Sequence, residues 1–323
     1  MMQDGHGRSI RYLRLSLTRA CGMRCIYCRP ATLRHEPANT TLTPSELHDL
    51  VQHLVSTHGL RKVRLTGGEP TARADLLDIV SRLAGISGLQ ELTLTTNGLL
   101  LERLAAPLAD AGLRRVNVSL DSLDANRFAR MTGVNGLPRV LAGIDAAVQS
   151  GLSPVKLNAV VVRGENDDEL PGLVRFAADR NLDIRFIELM PMGPLADQWS
   201  RRHVSEAEMR ERLDPQVREW MELPRDASSA RKVRVVLANG QSARVGFITA
   251  MSCPFCDQCD RIRIGSDGAL YPCLMDRPSA SLLEALRPVF DARRFDDILA
   301  TGLCAKASEH PAVGFGVMTH IGG

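Results

Sequence analysis

The chain has 323 residues, of which 44% are hydrophobic and 24% charged, and carries a formal net charge of +3. These are the proportions of a globular protein with a substantial core, and so small a charge excludes a nucleic-acid binder that rests on gross basicity. No apolar run reaches the ~18 residues that span a bilayer, and residues 1 to 11 lack an apolar signal segment, so the eight cysteines are expected to be reduced, metal-competent thiols in a cytoplasmic protein.

Leu13 to Thr18 alternates apolar and polar residues like a strand. Directly after it comes Cys21-Gly-Met-Arg-Cys25-Ile-Tyr27-Cys28, three thiols spaced C-x3-C-x2-C. Thiolates are the soft ligands preferred by Fe–S clusters and zinc. Three of them leave one corner of a four-iron cluster without a protein ligand, the mark of a site that does chemistry. A zinc knuckle or a disulfide pair is the alternative reading of this spacing. Thr43-Pro44-Ser45-Glu46 is a capping box that opens a helix over 43–58, with Leu47, Leu50, Val51, Leu54 and Val55 as its apolar stripe and Gly59 as its stop. Strands are then expected at 62–66, 91–95, 115–120, 155–162 and 183–190. Helices are expected near 73–84, 101–111, 124–131, 138–150 and 167–180. Six strands alternating with helices give an α/β fold with a parallel sheet.

Parallel strands covered on both faces usually read as unbroken apolar runs. Here Leu13, Leu15, Val63, Leu65, Leu92, Leu94, Val116, Val118 and Leu157 share one face. Arg14, Ser16, Lys62, Arg64, Thr93, Thr95, Asn117, Ser119, Lys156 and Asn158 take the other. The polar faces are expected to line a common cavity that holds a polar ligand, because burying them unpartnered would cost about 1–3 kcal/mol each. An open sheet with one wet face is the alternative. On the sixth strand Arg185 and Met190 have opposite parity and do not follow the rule.

Beyond Met190 the pattern changes. Pro191-Met-Gly-Pro194 breaks the chain, a helix is expected at 205–213, and a polar linker runs from Pro224 to Arg231. Two strands are expected after it, at 233–237 and 243–248. A second thiol set comes next: Cys253, Cys256, Cys259 and, after Arg261, Arg263 and a hairpin signal, Cys273. All four could close around zinc.

These motifs resemble the radical S-adenosylmethionine (SAM) enzymes, in which C-x3-C-x2-C, with an aromatic before the last Cys, holds a [4Fe-4S] cluster. Gly67-Gly68-Glu69-Pro70 is similar to that family's second signature. The resemblance implies a partial (βα)6 TIM-like barrel over residues 1–190, followed by a cluster-binding α+β extension over 191–323. Cys256-x2-Cys259-x13-Cys273 with Arg261 and Arg263, and the terminal Gly322-Gly323, resemble the GTP-cyclising subfamily that opens molybdenum cofactor biosynthesis. By that resemblance the cofactors would be SAM and two [4Fe-4S] clusters, on Cys21, Cys25 and Cys28 and on Cys256, Cys259 and Cys273. It likewise implies that SAM would meet Tyr27, Gly68, Glu69, Ser119 and Met190. GTP would meet Arg14, Arg64, Thr95, Lys156, Arg261 and Arg263, and Lys62, Arg261, Arg263, Gly322 and Gly323 would serve the reaction. The product implied for such an enzyme is (8S)-3',8-cyclo-7,8-dihydroguanosine 5'-triphosphate. The implied partners are a low-potential donor of flavodoxin or ferredoxin type, the downstream cyclic pyranopterin monophosphate synthase and, for a homodimer, a second copy of the chain; no nucleic acid or membrane is expected.

The chain departs from the family's usual pattern at Arg19, where an acidic residue is common, and at Gly22, Met23 and Arg29. Cys253 is an extra thiol, and Cys304 reads as a packed one. Two other function classes compete with this one. A different two-cluster radical SAM enzyme, such as a peptide-modifying one, would need a longer cysteine-rich C-terminal segment. A non-enzymatic Fe–S or zinc sensor would need neither Gly-Gly-Glu-Pro nor a basic lumen.

Overall fold

The computed structural model describes residues 2–28, 41–225, 228–314 and 318–321. Its strands are β1 (Tyr12–Ser16), β2 (Lys62–Thr66), β3 (Glu91–Thr96), β4 (Arg115–Ser119), β5 (Lys156–Val161), β6 (Asp183–Glu188), β7 (Val217–Glu222), β8 (Arg231–Leu237), β9 (Ser242–Ile248), β10 (Arg261–Ile264), β11 (Ala269–Tyr271) and β12 (Ala280–Ser281). The helices are α1 (Pro44–Ser56), α2 (Leu76–Ala84), α3 (Leu101–Asp110), α4 (Ala125–Thr132), α5 (Leu137–Gln149), α6 (Leu170–Asp179), α7 (Trp199–Arg202), α8 (Glu206–Leu213), α9 (Leu283–Leu286), α10 (Ala292–Cys304) and α11 (Met318–Ile321). No helix among the described residues is long and apolar enough to cross a membrane.

Local chemistry sets the boundaries. Thr43 caps α1: its side chain accepts from the Glu46 amide and the Glu46 carboxylate accepts from the Thr43 amide, the reciprocal pair of a capping box. Ser205 and Glu208 repeat this at α8, where the Ser205 amide, the Ser205 hydroxyl and Arg163 together draw the Glu208 carboxyl down to about 2 against the opposing effect of burial. Gly133 closes α4 in the left-handed region.

One sheet of twelve strands runs β12-β11-β10-β1-β2-β3-β4-β5-β6-β9-β8-β7. Strands β1 to β6 pair in parallel, in sequence order, and the sheet is not closed, as in a partial barrel. The segment after residue 190 extends both edges. β10 joins β1 in parallel, and β9 joins β6 in parallel with β8 and β7 antiparallel beyond it. The two C-terminal strands legible in the sequence are β8 and β9; β7, β10, β11 and β12 are additions. Leu13, Leu15, Val63, Leu65, Leu94, Val116, Val118 and Leu157 are all fully buried in one core that also holds the α1 stripe. The apolar side of the alternation therefore packs under the helices, and the polar side lines the interior.

Candidate active site

Five register-matched positions run abreast across the interior face: Arg263 on β10, Arg14 on β1, Arg64 on β2, Thr93 on β3 and Arg115 on β4. Like charges on neighbouring strands repel, and the effect is visible here. Burial, and next Arg263, hold the Arg14 guanidinium well below its ordinary pKa. Burial brings Arg263 down to about 10. One row below, burial alone would raise Tyr12, yet Arg64, Arg14, Arg261 and Arg263 bring it below its ordinary value. Guanidinium carbons of Arg64 and Arg261 lie 5.6 and 5.8 Å from the Tyr12 ring centre. Such a concentration of positive charge suits a polyanion. Above it, Thr95 Oγ1, both polar side-chain atoms of Asn117, and Asn158 Oδ1 are buried with no hydrogen-bond partner among the described residues. A lumen of unmet polar atoms around a basic row fits a polar, anionic guest.

The Cys21–Cys28 loop follows β1 and leans on the Gly-Gly-Glu-Pro loop that follows β2. The Gly68 amide donates to Thr18 O at 2.6 Å and the Glu69 amide to Ala20 O at 2.7 Å. A Cβ on Gly67, whose φ is +146°, would lie 2.5 Å from Thr18 O, and one on Gly68 would lie 2.4 Å from Ala20 O. The glycine pair thus serves a backbone-on-backbone contact that braces the cysteine loop. Glu69 is 3% exposed and accepts from the Thr71 amide and hydroxyl, the Thr96 hydroxyl and the Asn97 amide, at 2.6 to 3.0 Å. Those four bonds match a carboxylate's capacity and tie β2 to the end of β3. Burial outweighs them and leaves the Glu69 pKa raised. The Tyr27 hydroxyl donates to Asp121 Oδ2 at 2.6 Å, and burial lifts Asp121 to about 6.

Both cysteine sets open on one cavity. Cys21, Cys25, Cys28, Cys256, Cys259 and Cys273 line it, together with Arg14, Arg64, Thr95, Arg261 and Arg263. Tyr27, Gly68, Glu69, Ser119 and Met190 line it as well. Cys253 is exposed and does not. Among the described residues, no three cysteines bring their sulfurs within 4.8 Å of one another. A single tetrahedral zinc, with Zn–S bonds of about 2.3 Å, would gather its sulfurs more tightly than that; a cubane with an iron at each liganded corner spreads them wider. The thiols nonetheless feel one another. Burial, then Asp121, Cys28 and Cys21, push Cys25 well up, while burial, with Cys273 and Cys259 adding to it, raises Cys256. Three thiols at each set, all opening on the cavity, are the donor set that an open iron–sulfur cluster takes.

Two expected residues stand apart from the cavity wall. Lys62 begins β2 at the amino-terminal rim, 47% exposed, with Nζ 3.3 Å from Glu91. Lys156 begins β5, buried, 3.1 Å from Asp183, and burial, followed by Arg185, lowers it to about 8. Gly322 and Gly323 lie outside the described residues. Ile321 before them is 1% exposed and packs with Met192, Tyr271 and Met275, and Met318 lines the cavity.

Arg185, Lys306 and His310 line the cavity without having been singled out as site residues in the sequence. Arg185 pairs in register with Asn158, and burial, then Arg64, bring it down to about 10. Its parity is ordinary: β6 ends at Glu188, so Met190 sits in the following loop and is not part of the alternation. Lys306 Nζ donates to Pro272 O at 2.6 Å, next to Cys273, and His310 Nε2 lies 2.8 Å from Ala250 O. No periodic or spacing signal in the sequence marks either residue. The Glu188 carboxylate accepts from the Met251 and Ser252 amides at 2.9 Å, fixing the start of the second cysteine segment. Arg19, at a departure from the family pattern, pairs with Asp267 in the β10–β11 turn and so links the first cysteine loop to the C-terminal strands.

Residues 15–177 match the radical SAM superfamily, and residues 182–312 match the Molybdenum Cofactor Synthesis C family. The chain is 44% identical over 309 residues to the GTP 3',8-cyclase of Pseudomonas putida (strain W619), covering 95% of this chain and 92% of that protein. It is 37% identical to the GTP 3',8-cyclase of Alkaliphilus oremlandii, covering 96% and 94%. Among solved structures it is similar to Streptococcus suis SuiB bound to precursor peptide SuiA, with a TM-score of 0.62 at 13% identity over 94% of this chain and 72% of that one. At that identity the likeness is one of fold.

Proposed function

The chain belongs to the GTP 3',8-cyclases of the radical SAM superfamily, and from that membership we propose how its own residues divide the work. The reaction converts GTP to (8S)-3',8-cyclo-7,8-dihydroguanosine 5'-triphosphate, the first step of molybdenum cofactor biosynthesis, with SAM and two [4Fe-4S] clusters as cofactors. When bound, SAM and the first cluster supply radical chemistry that removes hydrogen from the ribose C3' of GTP.

In this reading Cys21, Cys25 and Cys28 hold the first cluster and Cys256, Cys259 and Cys273 the second, and Cys253 is not a ligand. Tyr27, Gly68, Ser119 and Met190 line the SAM side. Glu69 keeps the Gly-Gly loop in place, offering a ligand ammonium only the outer face of a carboxylate that already holds four bonds. Arg14, Arg64, Arg261 and Arg263, with Thr95 and Arg185, hold the nucleotide. Lys62 and Lys156, at the amino-terminal rim, take the far end of the triphosphate, which carries roughly four negative charges. The walled lumen keeps water from the reacting carbon. Gly322 and Gly323, which lie outside the described residues, are assigned to substrate positioning by the family resemblance alone. Residues 1–190 form the barrel that carries the first cluster and residues 191–323 the extension that carries the second, although one sheet runs through both. Electrons come from a flavodoxin- or ferredoxin-type donor in the cytoplasm, the product passes to the cyclic pyranopterin monophosphate synthase, and the chain pairs as a homodimer.

The observation that carries this reading is the opening of two cysteine sets and an arginine row on the same cavity. The test uses anaerobically reconstituted protein with SAM, GTP and a chemical reductant. Two cubanes would give about eight irons per chain, 5'-deoxyadenosine, and a GTP isomer separable by chromatography. Cys25→Ala abolishes SAM cleavage. Cys259→Ala retains uncoupled cleavage without the isomer, and Cys253→Ser retains everything. Deletion of Gly322 and Gly323 keeps both clusters and SAM cleavage but loses deuterium transfer from 3'-deuterated GTP into 5'-deoxyadenosine. About four irons in the wild type, or normal turnover of the tail-deleted chain, would overturn the corresponding assignment.

A further inference from the structure

A group of side chains outside the cavity converges on one point. His53 lies in the last turn of α1, His58 just past that helix, and Asp296 in the first half of α10. Nε2 of His53 and Nε2 of His58 each lie 2.7 Å from the same oxygen, Asp296 Oδ1. The three donor atoms are mutually within 4.8 Å. None of these residues lines the active-site cavity.

We propose that His53, His58 and Asp296 form a binding site for a zinc-class divalent ion that joins α1, the first barrel helix, to α10 of the C-terminal segment. Two imidazoles and one carboxylate are donors for zinc, nickel or copper, and a poor set for magnesium or calcium, which require mostly oxygen. Tetrahedral zinc, with bonds of about 2.0–2.1 Å, spaces its ligand atoms about 3.3 Å apart. The two 2.7 Å contacts need to open by only about half an ångström to admit it. The rings are already held. His53 meets Phe290 and Phe295 edge-on at 5.2 and 5.3 Å between ring centres, and its Nδ1 lies 3.4 Å from Thr57 Oγ1. A ligating imidazole donates its second N–H to such a partner, which fixes the tautomer and turns the other nitrogen to the ion. His53 and His58 side chains are 12% and 19% exposed and Asp296 38%, so water reaches the fourth position from one side. The same three residues could instead act as a hydrogen-bonded clasp with no ion, and the experiment separates the two.

The probe is Zn2+ added to anaerobic holoprotein with both clusters assembled, followed by gel filtration and counting of zinc and iron. The wild type retains about one zinc per chain with its iron unchanged, and zinc-edge absorption shows only nitrogen and oxygen neighbours near about 2.0 Å, with no sulfur at about 2.3 Å. Zinc raises the thermal midpoint of the wild type. His58→Gln lowers the retained zinc at least tenfold and loses the zinc-induced shift. Asp296→Asn, which keeps the shape and an oxygen acceptor, does the same while remaining folded with full iron content. Sulfur in the zinc shell, no retained zinc, or equal zinc uptake by both variants would overturn the site. A thermal midpoint lowered equally with and without zinc would leave only a hydrogen-bonded clasp and would overturn it too. None of these outcomes depends on GTP turnover.

Discussion

Arg14 and Arg263, far apart in the chain, are direct register partners on the parallel strands β1 and β10, both facing the cavity. Two buried guanidiniums side by side are costly unless an anion lies between or above them. Replacing either with Lys keeps the charge and loses the forked donor. Arg14→Lys and Arg263→Lys are each expected to lower kcat/KM for GTP by about 10–100-fold, the range of one lost charge-assisted hydrogen bond. Reductive SAM cleavage should survive. Kinetics with GTP and 5'-deoxyadenosine release, measured in parallel, check this; equal loss of both would mean a general structural defect.

Lys156 gives the site a pH dependence of defined sign. Burial, and next Arg185, bring its ammonium down to about 8. Below that pH it is charged and attracts a triphosphate, and as pH rises through about 8 the charge is lost. GTP affinity should therefore weaken between about pH 7.5 and 9, by up to ~10-fold for one lost pairing. Lys156→Gln should start weaker and show no such limb. Equilibrium binding of GTP to holoprotein across that range is the measurement. A flat wild-type curve would remove Lys156 from the triphosphate site.

Gly68→Ala puts a methyl group 2.4 Å from Ala20 O and 2.6 Å from Arg19 O, so the backbone just before Cys21 must shift. The second cysteine set is on other elements, joined to this loop through the Arg19–Asp267 pair, and is expected to keep its iron. Iron should fall from about eight to about four per chain, with SAM cleavage lost. Retention of all the iron would show that the loops separate without harm.

Arg19 and Asp267 pair across the gap between the cysteine loop and the β10–β11 turn, with side chains 16% and 26% exposed. Arg19→Glu or Asp267→Lys alone should cost about 0.5–1 kcal/mol, and the double reversal should restore most of it. Thermal unfolding of the four proteins closes the cycle, and additive losses would mean the pair is uncoupled.

Alternation of side chains reveals the inward face of each barrel strand, because parity is a local property. Height along the strand is not local, and parity says nothing of it. Lys62 and Lys156 share parity with Arg64 and Asn158 but begin their strands, which places them at the rim, outside the cavity wall. β10 escaped notice for another reason. Four residues, Arg261 to Ile264, are too few to show a period, and their partner β1 is far away in the chain. The same separation hides His53 and Asp296 from each other, since nothing near either in sequence announces the meeting. The spacing of Cys21, Cys25 and Cys28 is legible because it lies within one loop, whereas Cys273 is separated from Cys256 and Cys259 by β10 and β11 and, in the sequence, joins them only through the family resemblance.

The placement of β10 next to β1 and of β9 next to β6 has a consequence for synthesis on the ribosome. After residue 190 has emerged, the nascent six-stranded sheet has a bare edge on each side, with open backbone donors and acceptors along β1 and β6. β9 and β8 relieve one edge first; β1, the oldest strand, waits until residues 261–264 are made. Contacts so distant in sequence form slowly. A fragment ending near residue 190 is expected to pair edge to edge with its own kind and precipitate, and supplying residues 191–323 as a separate chain during refolding should keep it in solution.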